Sequence, residues 1–436
     1  MQVDNFIKNI KNWENYYRIL KFKDCKGLKK EVSDIIEFEI KGDIDSILQI
    51  LQNKSKKKYF EINHPFLNIK SRGVCSFFAC NVNNFIFMND MDNKFPWMFV
   101  QDSEFCGMII VNNYILYSPY KNLRHVYNCM NYLKENIDNF KNKLIFRNIE
   151  YIFSLKSHRP FHFFFDQLSN FLNINYDNVR LEPLFYMMKG FNYIEEDKDF
   201  IDIHPKTIGI NAMIQLSRFD KLKDYFLNTI SMVYNDALSD YDKIVICDND
   251  YDLKLWIGLP GEKRSWIEQV DGICYIVEQL SLYFKKIKIY FDGMTSFENA
   301  KVSFMENNIL FENISHKINL INLKKGKNEF CCDLISLIGL NYREKICYAS
   351  QVDFVISEGS TTGLIPFVFA RKPGVIIEIW NFREFYKEFC SNIEFVDVNK
   401  VEFEKQSEDL SLCDYHLSYV YVFELIIKLL KKEGKM

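Results

Sequence analysis

Nowhere among the 436 residues is there a run approaching the roughly 18 uninterrupted apolar positions that a bilayer-spanning helix requires, so the sequence predicts a soluble globular chain. The opening Met1-Gln2-Val3-Asp4-Asn5-Phe6-Ile7-Lys8-Asn9 lacks the basic end and apolar core of a secretory leader, which makes a cytoplasmic location the expectation. Charge of one sign is scarce as well. Against 55 Lys and Arg stand 58 Asp and Glu, a formal net charge of -3, and this excludes the basic footprint of a nucleic-acid binder. The 12 cysteines form no CxxC pair and show no zinc-ligand spacing to a histidine, so they read as reduced, mostly buried thiols. Internal repeats and low-complexity linkers are missing too.

What is plentiful is Lys, Asn, Ile, Phe and Tyr, a bias spread over the whole chain that says little about function. The length exceeds what one hydrophobic core usually organises, so two domains are expected. Residues Asn5 to Asn53 carry mixed helical patterning that ends in the amphipathic run Ser46-Ile47-Leu48-Gln49-Ile50-Leu51-Gln52. From Tyr59 to Tyr120 follow short aromatic and β-branched runs, such as Phe85-Ile86-Phe87-Met88 and Met108-Ile109-Ile110-Val111, with Asn, Asp, Gly and Pro between them. They predict a strand-rich meander.

A helix over Leu123 to Phe140, a strand over Ile149 to Leu155 and a helix over Phe163 to Leu172 then open an alternating regime. The polar stretch Asn235-Asp236-Ala237-Leu238-Ser239-Asp240-Tyr241-Asp242 is the candidate interdomain linker. Beyond it, strands at Lys254 to Leu259, Ile287 to Phe291, Val352 to Ser357 and Val375 to Ile379 alternate with helical patterns, as a parallel sheet demands. Apolar residues from Trp266 to Phe284 recur at three- and four-residue intervals, and Ser265 with Glu268 offers a capping box at the start of that helix. A helix containing Ser296 to Met305 and a basic amphipathic helix over Tyr419 to Met436 complete the reading. The latter has an apolar stripe suited to a domain interface or to anionic lipid. The expected fold class is α/β, with two Rossmann-like domains behind a helical and strand-rich N-terminal extension. Residues 1-235 form the first domain, 236-418 the second and 419-436 the terminal helix.

Four loops carry candidate chemistry. The strand ending at Ser357 runs into Glu358-Gly359-Ser360-Thr361-Thr362-Gly363 before a helix, where backbone amides, hydroxyls and the helix dipole converge in a way that suits a diphosphate. The spacing is neither GxGxxG nor a Walker loop, and a tight strand-to-helix turn is the plainer alternative. Glu378 ends the next strand at the sheet edge where ligands gather; it suits ribose hydroxyls, or a solvated ion pair. Lys263 and Arg264, in the turn before the long helix, suit a departing diphosphate, Arg264 best by guanidinium geometry, though adjacent loop cations are often merely solvated. In the first half, His162 and Asp166 stand four apart at a strand-to-helix junction and share a face. One of them can take a proton from a hydroxyl while the other orients it; the alternative is a capping or core histidine. His64, His125, His204, His316 and His416 read as isolated.

Phe161-His162-Phe163-Phe164-Phe165-Asp166, a second Rossmann-like half, and Asp353-Phe354-Val355-Ile356-Ser357-Glu358-Gly359-Ser360 running into Val375-Ile376-Ile377-Glu378-Ile379 together resemble GT-B glycosyltransferases. More loosely, they are similar to the family of plant xylan xylosyltransferases and extracellular O-linked N-acetylglucosaminyltransferases. The family's Gly-Ala loop follows a histidine, where this chain has Glu358 before Gly359 and Ser360. The resemblance covers mainly residues 150-382 and leaves residues 1-120 aside. It implies transfer of a sugar from a nucleotide-linked donor, UDP-linked by expectation, to a glycan or lipid-linked glycan, with inversion and no metal or other cofactor. It also implies an acceptor and catalytic role for the first domain and a nucleotide-sugar site in the second. A cytoplasmic enzyme with peripheral contact to the inner membrane makes surface polysaccharide or lipooligosaccharide synthesis the expected setting. A metal-dependent GT-A transferase would need a DxD, for which Asp90-Met91-Asp92 and Asp248-Asn249-Asp250 are available; Asp248, Asp250 and Asp252 lack the Gly and Glu of a calcium loop. A nucleotide-sugar epimerase or hydrolase and a non-catalytic carbohydrate- or nucleotide-binding scaffold are the other readings.

Overall fold

A computed structural model describes residues 2-79, 83-102, 104-140, 149-155, 159-173, 181-182, 185-191, 208-211, 223-245, 250-260, 265-300, 302-326, 328-359, 361-377, 383-404 and 413-436. The chain divides into two compact units. Unit 1 comprises Met1–Leu184 and Lys189–Thr229, and unit 2 comprises Phe185–Met188 and Ile230–Met436.

Unit 1 holds a seven-stranded sheet of β1 (Arg18–Lys21), β2 (Glu61–Asn63), β3 (Lys70–Ala79), β4 (Asn83–Asn89), β5 (Trp97–Gln101), β6 (Met108–Val111) and β7 (Tyr114–Tyr117). β2 to β7 form an antiparallel meander in spatial order, and β1 joins β7 in parallel. β4, β5 and β6 are buried along their whole length, which is why their sequences read as continuous apolar runs rather than alternating ones. On one face, the helix Leu123–Phe140 lays Val126, Met130, Leu133 and Ile137, spaced three and four apart, against Phe77, Phe85 and Val100, and Phe6 and Ile10 of the first helix join the same core. A smaller parallel sheet follows, with β8 (Tyr151–Ser154) between β10 (Ile208–Asn211) and β9 (Leu181–Glu182).

Unit 2 is built on β11 (Leu253–Gly258), β12 (Lys286–Asp292), β13 (Cys331–Ser336), β14 (Phe354–Glu358), β15 (Gly374–Ile377) and β16 (Ile393–Phe395), all parallel, in the order β13-β12-β11-β14-β15-β16. Counted within this unit, the sheet runs third, second, first, fourth, fifth, sixth: the Rossmann order, which reverses direction between β11 and β14. The α/β expectation holds. Two short antiparallel strands, β17 (Val401–Phe403) and β18 (Tyr415–Leu417), lie outside that sheet.

The structure revises five local expectations. The long helix begins only at Gln269 and ends at Leu280, without a capping box. Glu268 instead accepts from the Leu417 amide and meets His416 at 2.5 Å, while the Ser265 amide donates to Asp414, so β18 takes the groups that would have capped the helix. Residues 296-300 and 302-304 are irregular and the helix is Met305–Lys325, because Asn299 adopts a left-handed φ of 64° and Ser296 Oγ accepts from the Val302 amide. The proposed linker lies within the helices Lys223–Leu238 and Tyr241–Ile244. Its polar residues are anchors: the nearly buried Arg343 binds Asp236 at 2.8 Å, Asp240 at 3.5 Å and Glu298 at 3.1 Å, and a buried guanidinium requires such partners.

The terminal helix Tyr419–Lys432 buries Val422, Ile426, Leu429 and Leu430 in the core of unit 2, against Gln269–Leu280 and β15, so its apolar stripe is not offered to lipid. The stretch from His162 is helical as expected, but its turns to Leu168 are π-helical before Ser169–Leu172 continues as α-helix. Among the described residues, no helix is long and apolar enough to cross a membrane.

Candidate functional site

In unit 1 the aromatic run places its phenylalanines inward: Phe163, Phe164 and Phe165 are buried, and Phe165 packs on Phe226 with ring centroids 4.7 Å apart. That anchoring sets the next turn. Asp166 is fully buried, and its Oδ2 lies 2.5 Å from Nδ1 of His162, whose side chain is 24% exposed. The carboxylate therefore fixes the imidazole from below, through the nitrogen nearer the backbone, and Nε2 is the ring nitrogen opposite that contact. Asp166 itself has no exposed surface from which to meet a substrate. π-Helical turns inside helices recur at functional sites because the wider turn re-aims side chains.

In unit 2 the sheet reverses between β11 and β14, and ligands of such sheets collect outside the carboxyl ends of strands at that point. Gly258 ends β11 there, with Ser357 and Glu358 at the end of β14. A Cβ on Gly258 would stand 2.3 Å from Ser357 Oγ, so only glycine fits beside that serine. Between them lies a cavity of about 10 Å³ walled by Trp266, Gln269, Glu358 and Tyr415. Glu358 is 8% exposed and accepts from the Tyr415 hydroxyl at 3.0 Å. The Gly359 amide is committed to the Ile377 carbonyl in β15.

The helix starts at Thr361, so Gly363 lies within its first turns. The Cβ it lacks would sit 2.7 Å from the Tyr386 hydroxyl and 2.8 Å from the Glu358 carbonyl. Close packing, not ligand approach, accounts for that glycine. At the mouth stand Thr361, exposed, and Thr362, whose hydroxyl lies 3.5 Å from the Glu358 carbonyl. A helix start leaves its first amides unpaired within the helix and carries the positive end of the dipole. Lys263, Arg264, Ser360 and Glu378 lie outside the described residues.

Sequence reasoning missed the groups that shape this mouth. Tyr415 and Trp266 are brought there by β18, whose run Cys413-Asp414-Tyr415-His416-Leu417 alternates by burial and carried a short-strand signal. Asn307 ties the loops together by donating to the Pro260 carbonyl at 3.2 Å and accepting from the Met294 amide at 3.2 Å. Behind it, Lys345 and Asp292, both almost wholly buried, pair at 2.6 Å. Burial pushes the lysine down and the carboxyl up, and each partner opposes the other's shift.

Two of the histidines read as isolated have charged partners. His125 Nε2 lies 3.1 Å from Asp102 and 3.5 Å from Cys129 Sγ, and His416 meets Glu268. His64 is buried; its Nδ1 accepts from the amides of Phe66 and Leu67, and burial pushes its pKa down to about 4. Of the DxD candidates, Asp90 is spent on its own turn, accepting from the amides of Asp92, Lys94 and Phe95. Asp250 pairs with Lys286 at 2.7 Å, and Asp248 lies outside the described residues.

No family model and no curated protein matches the chain. Among solved structures, a glycosyl transferase family 9 protein from Veillonella parvula is 10% identical, with 60% of this chain and 70% of that one covered at a TM-score of 0.28. A TarM mutant of S. aureus, crystallised with fondaparinux, alpha-GlcNAc-glycerol and UDP, is 10% identical over 99% of this chain and 80% of that one, at a TM-score of 0.24. TarM in a second structure is 11% identical, with coverage of 91% and 78% and a TM-score of 0.23. Likenesses this loose carry no argument; the fold stands on the strand order itself.

Proposed function

We propose that the chain is a GT-B type glycosyltransferase that moves a sugar from a UDP-linked donor to a glycan or lipid-linked glycan acceptor, with inversion and without a required metal. The observation that carries the reading is the buried Asp166 beneath a partly exposed His162. With Asp166 holding Nδ1, Nε2 is the base: it takes the proton of an acceptor hydroxyl while that oxygen bonds to the anomeric carbon. The bond from that carbon to the donor phosphate breaks, and its electron pair leaves with the nucleoside diphosphate. Asp166 stabilises the imidazolium so formed and is the positioning residue.

For the donor, the Rossmann sheet supports a diphosphate at the mouth formed by Thr361 and Thr362, where the helix start and the Thr361 hydroxyl offer donors. Lys263 and Arg264 would neutralise the leaving group, and Glu378 would hold the ribose. Glu358, bonded to Tyr415, fits a role in shaping the mouth better than direct contact. The setting we propose is cytoplasmic synthesis of a surface polysaccharide or lipooligosaccharide.

The test is a screen of UDP-sugars with oligosaccharide acceptors, reading release of UDP and the anomeric configuration of the product, in the presence and absence of a chelator. Acceptor-dependent UDP release with an inverted product is expected. UDP release that needs no acceptor, or a changed sugar still attached to UDP, would make the chain a hydrolase or an epimerase.

A further inference from the structure

The N-terminal extension takes no part in the chemistry above, yet it carries a built groove of about 720 Å³, a volume within the roughly 300–1,000 Å³ typical of small-molecule sites. Its walls come from the helix Gln2–Lys11, the segment Lys94 to Pro96 and the β6–β7 turn Asn112-Asn113. Gln2, Asn5 and Asn9, three and four residues apart, share a helix face that adjoins the buried one, and Phe6 at its edge also lines the groove. Asn112, held at a left-handed φ of 53°, and Asn113 bring two more amides to the same hollow. Among the described residues none of these five side chains bonds to another protein group. Tyr16, 43% exposed, and the half-buried Phe95 add aromatic surface.

Those groups select a ligand class. A carboxamide both donates and accepts, which matches hydroxyl groups that do the same, and an aromatic ring gives apolar surface to the C–H face of a pyranose. The charges do not favour an anion. Among the described residues Lys94 is the one cation of the lining, and it pairs with Asp92 at 3.1 Å, while the first turn of the helix carries Asp4.

We propose that this groove binds a neutral oligosaccharide. It shares no residue with the His162–Asp166 pair or with the Thr361 mouth, and it would hold a glycan chain whether or not the protein transfers sugar.

The test uses the full chain without nucleotide, titrated by calorimetry and by saturation-transfer NMR with maltohexaose, cellohexaose, chitohexaose and a heparin hexasaccharide. At least one neutral hexasaccharide is expected to bind, with little dependence on salt. Tyr16→Ala, and separately Asn5→Ala with Asn9→Ala, should weaken binding by about tenfold or more, roughly 1.4 kcal/mol. The melting midpoint of the Asn5→Ala, Asn9→Ala variant should not fall, because those carboxamides are exposed or partly so and unbonded, and His162→Ala should bind the glycan normally. The proposal is overturned if no neutral hexasaccharide binds, if the groove variants bind as the parent does, or if only heparin binds and salt abolishes it.

Discussion

At the scale of single residues, the division of labour between His162 and Asp166 makes the sharpest prediction. Asp166→Asn puts an amide under Nδ1 that can donate a hydrogen bond and so favour the tautomer with its proton on Nε2, which is no base; His162→Ala removes the base altogether. Each should lower kcat by about 10²- to 10⁴-fold in a transfer assay, with UDP affinity unchanged. The i, i+4 spacing of the pair was legible in the sequence, but which member acts was not. That depends on Asp166 being fully buried, and burial is set by the packing of Phe163 to Phe165. A second residue-scale expectation concerns Glu39. Burial pushes it up to about 8, although the Cys106 amide opposes this, and the neighbouring Glu104 adds to the rise while Lys121 counters it. An unfolded glutamate titrates near about 4.3. The folded chain thus keeps a proton that the unfolded chain loses between those values, and the contribution is full below about 4.3 and lost as pH rises through about 8. Melting curves across that interval should show a decline for the parent chain that Glu39→Gln flattens; parallel curves would refute the assignment.

At the scale of elements, two glycines test the sheet of unit 2. A Cβ at Gly374 would meet the Val355 carbonyl oxygen at 2.1 Å and carbon at 2.8 Å, backbone of the adjoining strand, and Val355 Cβ at 2.8 Å, whereas at Gly258 its nearest contacts are the side chain of Ser357. Gly258→Ala should therefore cost about 1–3 kcal/mol in denaturant melts and recover in part with Ser357→Gly, while Gly374→Ala should cost more, with no such rescue. Equal costs, or rescue of neither, would contradict the packing. β11, β12, β14 and β15 were legible because each is a short apolar run between turn residues, and the helix Leu123–Phe140 because its stripe is regular, whereas the half-exposed Cys331-Cys332-Asp333-Leu334-Ile335-Ser336 of β13 and the three-residue β16 gave no such run. Helix ends were not. Ser265 and Glu268 carry a valid capping signal, and only the arrival of β18, some 150 residues later, redirects both. The segment from Asn235 failed for a similar reason, since its acids looked solvated until Arg343 was seen to bind them.

At the scale of the whole molecule, each unit has a hydrophobic core of its own, one around the meander and one around the parallel sheet. The second was readable because alternating strands and helices leave few topologies, and the reversal between β11 and β14 is where the proposal puts the donor. The first was readable as a strand-rich meander but not with β1 at its edge, since the β1–β7 pairing joins segments almost a hundred residues apart. The central claim is that unit 2 holds the nucleotide while unit 1 supplies the base. Calorimetric titration of UDP into the parent chain, into His162→Ala and into a Ser360→Ala, Thr361→Ala double variant tests it most directly. The account predicts equal affinity for the first two and a loss of about tenfold or more for the third. Absence of UDP binding to the parent chain, or a loss confined to His162→Ala, would contradict it.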